Sequence, residues 1–278
     1  MFRDVAFGQY YPANSFVHKM DARVKIVLSV AYLVAVILIE SFFGFGIFFV
    51  FLAAAIGFSK VPLRSILKSM RPILFLLTFT ALINLFFVHE GKVLAEWWIF
   101  KFTEGGLLFT GRMALRLLFL VMGASLLTLT TTPVDLTAAI ESLLAPLKLI
   151  RFPVRELALI MSITLSFIPS LMEETDRIIR AQKARGADFE SGGLIKRARA
   201  FIPILIPLLI GAFRRADELA FAMESRCYGA SRKRTKLKVM RLTVRDLFGV
   251  LITGCFFAAM LGVKYAPGIF GGYAWMYF

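Results

Sequence analysis

Two arginines stand where a helix-like run stops: Arg185 in "RAQKARGADFE" and Arg226 in "FAMESRCYGAS", 41 residues apart (226 − 185). A guanidinium is planar and always charged, and its fork can grip a carboxylate through two parallel hydrogen bonds. Helical spacing places each arginine on a particular face, because side chains three and four apart share one. Leu171, Thr175, Ile178 and Gln182 form a stripe whose next member is Arg185. Ala212, Ala216, Leu219 and Met223 form another whose next member is Arg226. Two readings stay open. A cation in the last turn complements the helix dipole, worth about 0.3–1 kcal/mol, and Gly186 is a common stop. Alternatively, two similar helix ends each offer one guanidinium to a carboxylate-bearing groove on a partner.

Other chemistries find little support. An ATPase requires a phosphate-cradling G-x-x-x-x-G-K-[ST] loop, and Gly105, Gly106 and Gly111 lack the lysine. Metal catalysis needs clustered ligands, whereas the two histidines, His18 and His89, are expected on opposite sides of a membrane. Gly123 to Ser125 is too short a motif for a serine nucleophile, and neither His falls within a predicted span. Glu173 and Glu174 lie among basic residues and read as a solvated face. Cys227 and Cys255 are too few and too far apart for a disulfide framework or a metal site. No catalytic residue, metal site or cofactor is expected in this chain.

The elements that position these residues are oily. Of 278 residues, 59% are hydrophobic, 29 are Phe, and the mean hydropathy is +0.76. Uncharged windows at 26–39, 41–59, 72–88, 117–134 and 247–263 approach or reach the ~20 residues that cross a bilayer as a helix. Windows 157–172 and 200–213 are shorter, carry Pro169, Pro203 and Pro207, and have charged flanks. They read as apolar starts of long amphipathic helices near the membrane surface rather than clean spans.

The net charge of +15 would suggest nucleic acid in a soluble protein. In a membrane protein it reads as a positive-inside signal. Lys and Arg crowd before the first span, between the second and third, and from Lys148 to Arg245, while the alternate loops are poorer. This places the N-terminus and residues 131–245 in the cytoplasm, the C-terminus outside, and no nucleic acid among the partners. No cleavable leader is read at the start, so the first span is expected to serve as the insertion signal.

Three parts follow: a transmembrane bundle over 1–132, with spans near 24–43, 44–59, 70–89 and 107–130; a charged, helix-rich cytoplasmic part over 133–243; and a last span with an aromatic tail over 244–278. Within the bundle no charge after Lys25 is expected except near the interfaces. Thr78, Thr80, Asn84 and Thr128 to Thr132 are expected to satisfy helix packing. Thr132 and Pro133 suit the start of a short helix to 145. A second helix is expected from Pro153 to about Arg185 and a third from Leu194 to Cys227. Gly254, Ala258 and Gly262 suggest a close-packing face. Tyr273, Trp275 and Tyr277, with Trp97 and Trp98, suit an interfacial belt.

At an offset of 41, Asp176 matches Asp217, Ala181 matches Ala222 and Arg185 matches Arg226. "KARGAD" and "AFAMESRCYGASRKRT" resemble the two Ala-Arg-Gly signatures of the transmembrane T component of energy-coupling factor transporters. "NSFVHKMDARVKI" is similar to that family's opening segment, and "RRADELAFAMESR" to the stretch before its second signature. Ala184, Arg185 and Gly186 match the first signature. In Ser225, Arg226 and Cys227 only the Arg keeps its type, which leaves the backbone geometry at Cys227 open. Ala22 stands where Pro is usual.

The resemblance implies an all-α integral membrane protein of about five transmembrane helices, with long amphipathic coupling helices in a V or X arrangement. It implies an energy-coupling subunit between two cytosolic ABC-type ATPases, which bind the ATP, and a membrane-embedded substrate-binding S component, in the cell membrane, for uptake of vitamins or transition-metal ions. Ala184, Arg185, Gly186, Ser225, Arg226 and Cys227 would dock the ATPases, supported by Asp176, Arg180, Asp217 and Glu224. A conventional ABC permease with its own substrate pathway is the alternative. Its EAA-type coupling loop is not found.

Overall fold

The computed structural model describes residues 10–39, 42–87, 93–97, 100–150, 152–189, 193–228 and 242–265. The described chain is helical apart from one short hairpin. The helices are α1 (Ala22–Leu38), α2 (Phe42–Ser59), α3 (Leu63–Phe87), α4 (Glu104–Thr130), α5 (Pro133–Leu143), α6 (Val154–Ala184), α7 (Leu194–Ala200), α8 (Ile202–Ser225) and α9 (Val244–Tyr265). Strands β1 (Val93–Trp97) and β2 (Phe100–Thr103) pair antiparallel, with Val93 opposite Thr103 and Trp97 opposite Phe100. The hairpin is unanticipated: its residues were expected in a loop. The aromatic tail, Trp98, His89 and the basic run 231–238 lie outside the described residues.

Two compact units emerge. One comprises Gly8–Leu144 with Arg241–Phe278, the other Ala145–Met240. In the first, the core is the seam of α1, α2, α4 and α9. Tyr32, Val36, Phe45, Phe48, Leu52, Phe119, Phe256 and Met260 are buried there. Lipid tails are as apolar as these side chains, so close packing rather than the hydrophobic effect must hold a membrane bundle together. Aromatic geometry supplies it. Phe48 meets Phe256 edge-on at 4.6 Å, Phe51 stacks on Phe256 at 4.2 Å, and Phe45 stacks on Phe119 at 6.0 Å. Such pairs contribute about 0.5–1.5 kcal/mol each.

Gly123 lets α1 approach α4. A Cβ there would lie 2.1 Å from Cε1 of Tyr32, whose hydroxyl donates to the Phe119 carbonyl at 3.1 Å. The small row on α9 works otherwise than expected. Gly254, Ala258 and Gly262 are exposed, and α9 packs through Asp246, Thr253, Phe256 and Met260. Thr78, Thr80, Thr128 and Thr130 each donate to a carbonyl four residues back in their own helix.

Helix starts follow residue type. Thr132 caps α5: its hydroxyl accepts from the Asp135 amide at 3.2 Å, and Pro133 opens the helix where its missing N–H costs nothing. In the second unit, α6 runs 31 residues through Pro169. It differs from its expected role, because by length and composition it can cross a membrane, as can α4. Helix α2 and the first turns of α3 form a further apolar pair bent by 118°. The third expected helix is divided at Phe201, just ahead of Pro203, into α7 and α8. Helices α6 and α8 meet near their middles. Arg215 Nη1 donates to Ser170 Oγ at 2.7 Å, and its guanidinium carbon lies 6.0 Å from the Phe167 ring centroid.

Candidate functional site

The ends of α6 and α8 are built from the same bonds. The last four carbonyls of a helix lack partners inside it, and a residue with positive φ just past the end can turn the next amides back to fill them. In α6, Arg185 is the C-cap (φ −84°, ψ 7°) and Gly186 follows with φ +84°. The Gly186 amide donates to Lys183 O at 3.0 Å and the Ala187 amide to Gln182 O at 3.0 Å. In α8, Arg226 is the C-cap (φ −91°, ψ 14°) and Cys227 follows with φ +55°. The Cys227 amide donates to Glu224 O at 2.8 Å and the Tyr228 amide to Met223 O at 3.0 Å. Both are complete Schellman motifs.

The question left open at Cys227 is thereby answered: cysteine takes the left-handed conformation that Gly186 takes in the first copy. A side chain in that region costs about 1–2 kcal/mol relative to glycine.

Ala184, Arg185 and Gly186 are all exposed, as are Ser225, Arg226 and Cys227. Leu171, Thr175, Ile178 and Gln182 behind Arg185 are half-buried. Ala212, Leu219 and Met223 behind Arg226 are half-buried too, with Ala216 exposed. Each guanidinium therefore stands in solvent just beyond a face its own helix keeps partly covered. Asp176 is half-buried, whereas Arg180, Asp217 and Glu224 are exposed. None of these four side chains is bridged among the described residues. The neighbouring exposed pair Arg214 and Glu218 lies 3.7 Å apart, a contact of the kind that contributes little to stability. Among the described residues no group of three or more His, Cys, Asp or Glu is placed to hold a metal ion.

The opening segment folds onto the first unit. The Asp21 side chain accepts from the Arg23 amide at 3.0 Å and caps α1. Buried Asp246 accepts from the Asp21 amide at 2.7 Å and, across its own helix start, from the Thr243 amide at 2.6 Å. Buried Lys25 donates to Thr130 O at 3.0 Å, His18 O at 3.2 Å and Thr131 Oγ1 at 3.4 Å, so its ammonium closes the C-terminal end of α4. His18 Nε2 donates to Tyr11 O at 2.9 Å, and Nδ1 lies in hydrogen-bond contact with the Ser15 hydroxyl at 2.6 Å. Burial, with the Lys25 charge nearby, holds the His18 pKa below the ordinary histidine value. The similarity of "NSFVHKMDARVKI" to a signature thus corresponds to a set of caps that joins the chain's start to α4 and α9.

Two residues escaped the sequence reading. Arg112 and Arg116 both lie inside α4 (Glu104–Thr130). With Phe119, Gly123, Leu126 and Thr130 they repeat at intervals of four and three, the stripe that faces α1. Arg116 Nη2 donates to the carbonyl of Ile39, the C-cap of α1. Reading by uncharged windows hid them; the helical repeat was the available signal.

Residues 13–237 match the family model CbiQ, described as cobalt transport protein. The chain is similar to the energy-coupling factor transporter transmembrane protein EcfT of Ruminiclostridium cellulolyticum, with 50% identity over 91% of this chain and 94% of that one. It is 48% identical to the protein of that name from Clostridium kluyveri (90% and 93% covered) and 40% identical to that from Bacillus subtilis (94% and 98% covered).

Proposed function

The chain belongs to the CbiQ family of energy-coupling factor transmembrane components, and from that premise we propose that Arg185 and Arg226 each dock one cytosolic ATPase subunit. The observation that carries this is the identity of the two ends: one exposed guanidinium at the C-cap of each helix, held by the same backbone motif. Two equivalent ends fit two ATPases, identical or related, each receiving the fork through a carboxylate. Ala184, Gly186, Ser225 and Cys227 shape the ends, and Asp176, Arg180, Asp217 and Glu224 surround them. Force enters at the ends and reaches the contact between Arg215 and Ser170 along α6 and α8. It is passed to a membrane-embedded subunit that binds the transported substrate, while ATP is held by the ATPases. The N-terminus and both arginines face the cytoplasm and the C-terminus the outside, as the distribution of Lys and Arg supports.

The test is charge reversal. Arg185→Glu and Arg226→Glu should each reduce co-purification of the ATPases and stop uptake, with membrane insertion unchanged. Normal uptake by both variants would overturn the docking assignment.

A further inference from the structure

The outer part of α4 poses a charge problem. Arg112 and Arg116 are one turn apart on the face that also carries buried Phe119. Like charges at that spacing repel, and charges within a span are retained where something pairs with them. One pairing is visible, from Arg116 to the Ile39 carbonyl. The Nε atoms of Arg112 and Arg116 are both buried and find no hydrogen-bond partner among the described residues. A carbonyl carries no full charge, so among the described residues neither cation has an anionic partner.

Depth decides which anion fits. Thr130 ends α4, and the next charged residue along the chain is Asp135 in the first turn of α5, which marks one aqueous boundary. A hydrocarbon core ~30 Å thick takes ~20 residues at ~1.5 Å each, which places the other boundary near Thr110. Arg112 then lies about 3 Å inside it. Helical side chains lean toward the N-terminal end, here the outer surface, so the Arg112 guanidinium reaches the level of lipid phosphates. Positive charge on that side also runs against the usual asymmetry, so its retention needs a reason.

We infer that Arg112, supported by Arg116, binds the phosphodiester of an anionic phospholipid of the outer leaflet at the α1 C-terminal end of the bundle. The guanidinium supplies a fork for two phosphate oxygens. The assignment of this end to the outer leaflet rests on the orientation proposed above. Lipid retention in detergent does not depend on sidedness, so the two ideas can fail separately.

The full chain, purified in detergent, is incubated with phosphatidylglycerol or phosphatidylcholine, and bound lipid is counted by native mass spectrometry. The wild type should retain phosphatidylglycerol in preference, and inorganic phosphate should not displace it. Arg112→Gln should weaken retention about tenfold, the scale of one charge-assisted contact, and Arg112→Lys should lose less. Equal retention by wild type and Arg112→Gln overturns the site. So does the absence of any preference for phosphatidylglycerol in the wild type, a measurement that needs no variant. Displacement by inorganic phosphate would assign the arginines to a free anion instead of a lipid.

Discussion

The end of α6 and the end of α8 close with the same two backward hydrogen bonds, yet one turns on glycine and the other on cysteine. Glycine adopts positive φ without steric cost, and cysteine does not. Both ends nevertheless carry an arginine at the C-cap with nearly the same backbone conformation, φ −84° and −91°.

Substitutions can break this equivalence or sharpen it. The largest effect is expected from Arg185→Glu or Arg226→Glu. Reversing one charge of a desolvated pair costs about 2–5 kcal/mol, so ATPase capture measured by pull-down should fall at least tenfold, and equally for the two if the ends are equivalent. A twofold loss at one and a hundredfold at the other would show that the partners are unequal. Next comes Gly186→Val, which forces a β-branched residue to φ +84°. The end of α6 should lose about 1–2 kcal/mol, seen as faster amide exchange at Gly186 and Ala187, with α8 unaffected. Cys227→Gly should act in the opposite direction, slowing exchange at Cys227 and Tyr228 by up to about 1 kcal/mol. Faster exchange would mean that the cysteine side chain makes a contact that offsets its strain. The smallest effect belongs to Ser225→Ala, which removes a hydroxyl bond to Ala222 O at 3.1 Å that Ala184 has no counterpart for. An exposed bond of this kind is expected to change stability by about 0.5 kcal/mol or less.

A further contrast concerns pH. The group that responds is His18. Its pKa is lowered in the fold, so the unfolded chain binds the proton more readily and stability falls as pH drops below the ordinary histidine value of about 6.5. Thermal unfolding measured from pH 7.5 to 5.5 should show this loss, and His18→Gln should flatten it.

Much of this was legible from residue types with a direct backbone consequence. Thr132 before Pro133 announced a helix start, and Gly186 a stop. The stripes leading to Arg185 and Arg226 followed from spacing alone. Cys227 was opaque because nothing in a cysteine signals positive φ; only its register with Gly186 hinted at it. The hairpin at 93–103 was missed because its strands are short and cross-strand pairing leaves little local trace. Gly254, Ala258 and Gly262 invited a packing face, but a row of small residues marks a surface that can be approached, not one that is. Arg112 and Arg116 were missed because a hydropathy window registers composition and is blind to direction around the helix.

The pairing of α1 with α4 has a mechanical consequence. Lys25 on α1 holds the C-terminal carbonyl of α4, and Arg116 on α4 holds that of α1. The separations match: 14 residues from Lys25 to Ile39, and 14 from Arg116 to Thr130. Smooth apolar helices in lipid slide past one another at little cost. Here a slip of one residue, ~1.5 Å, would stretch or break both ties at once. The pair therefore behaves as a strut pinned at both ends, stiff against shear along its axis, against which moving parts of a transporter can push.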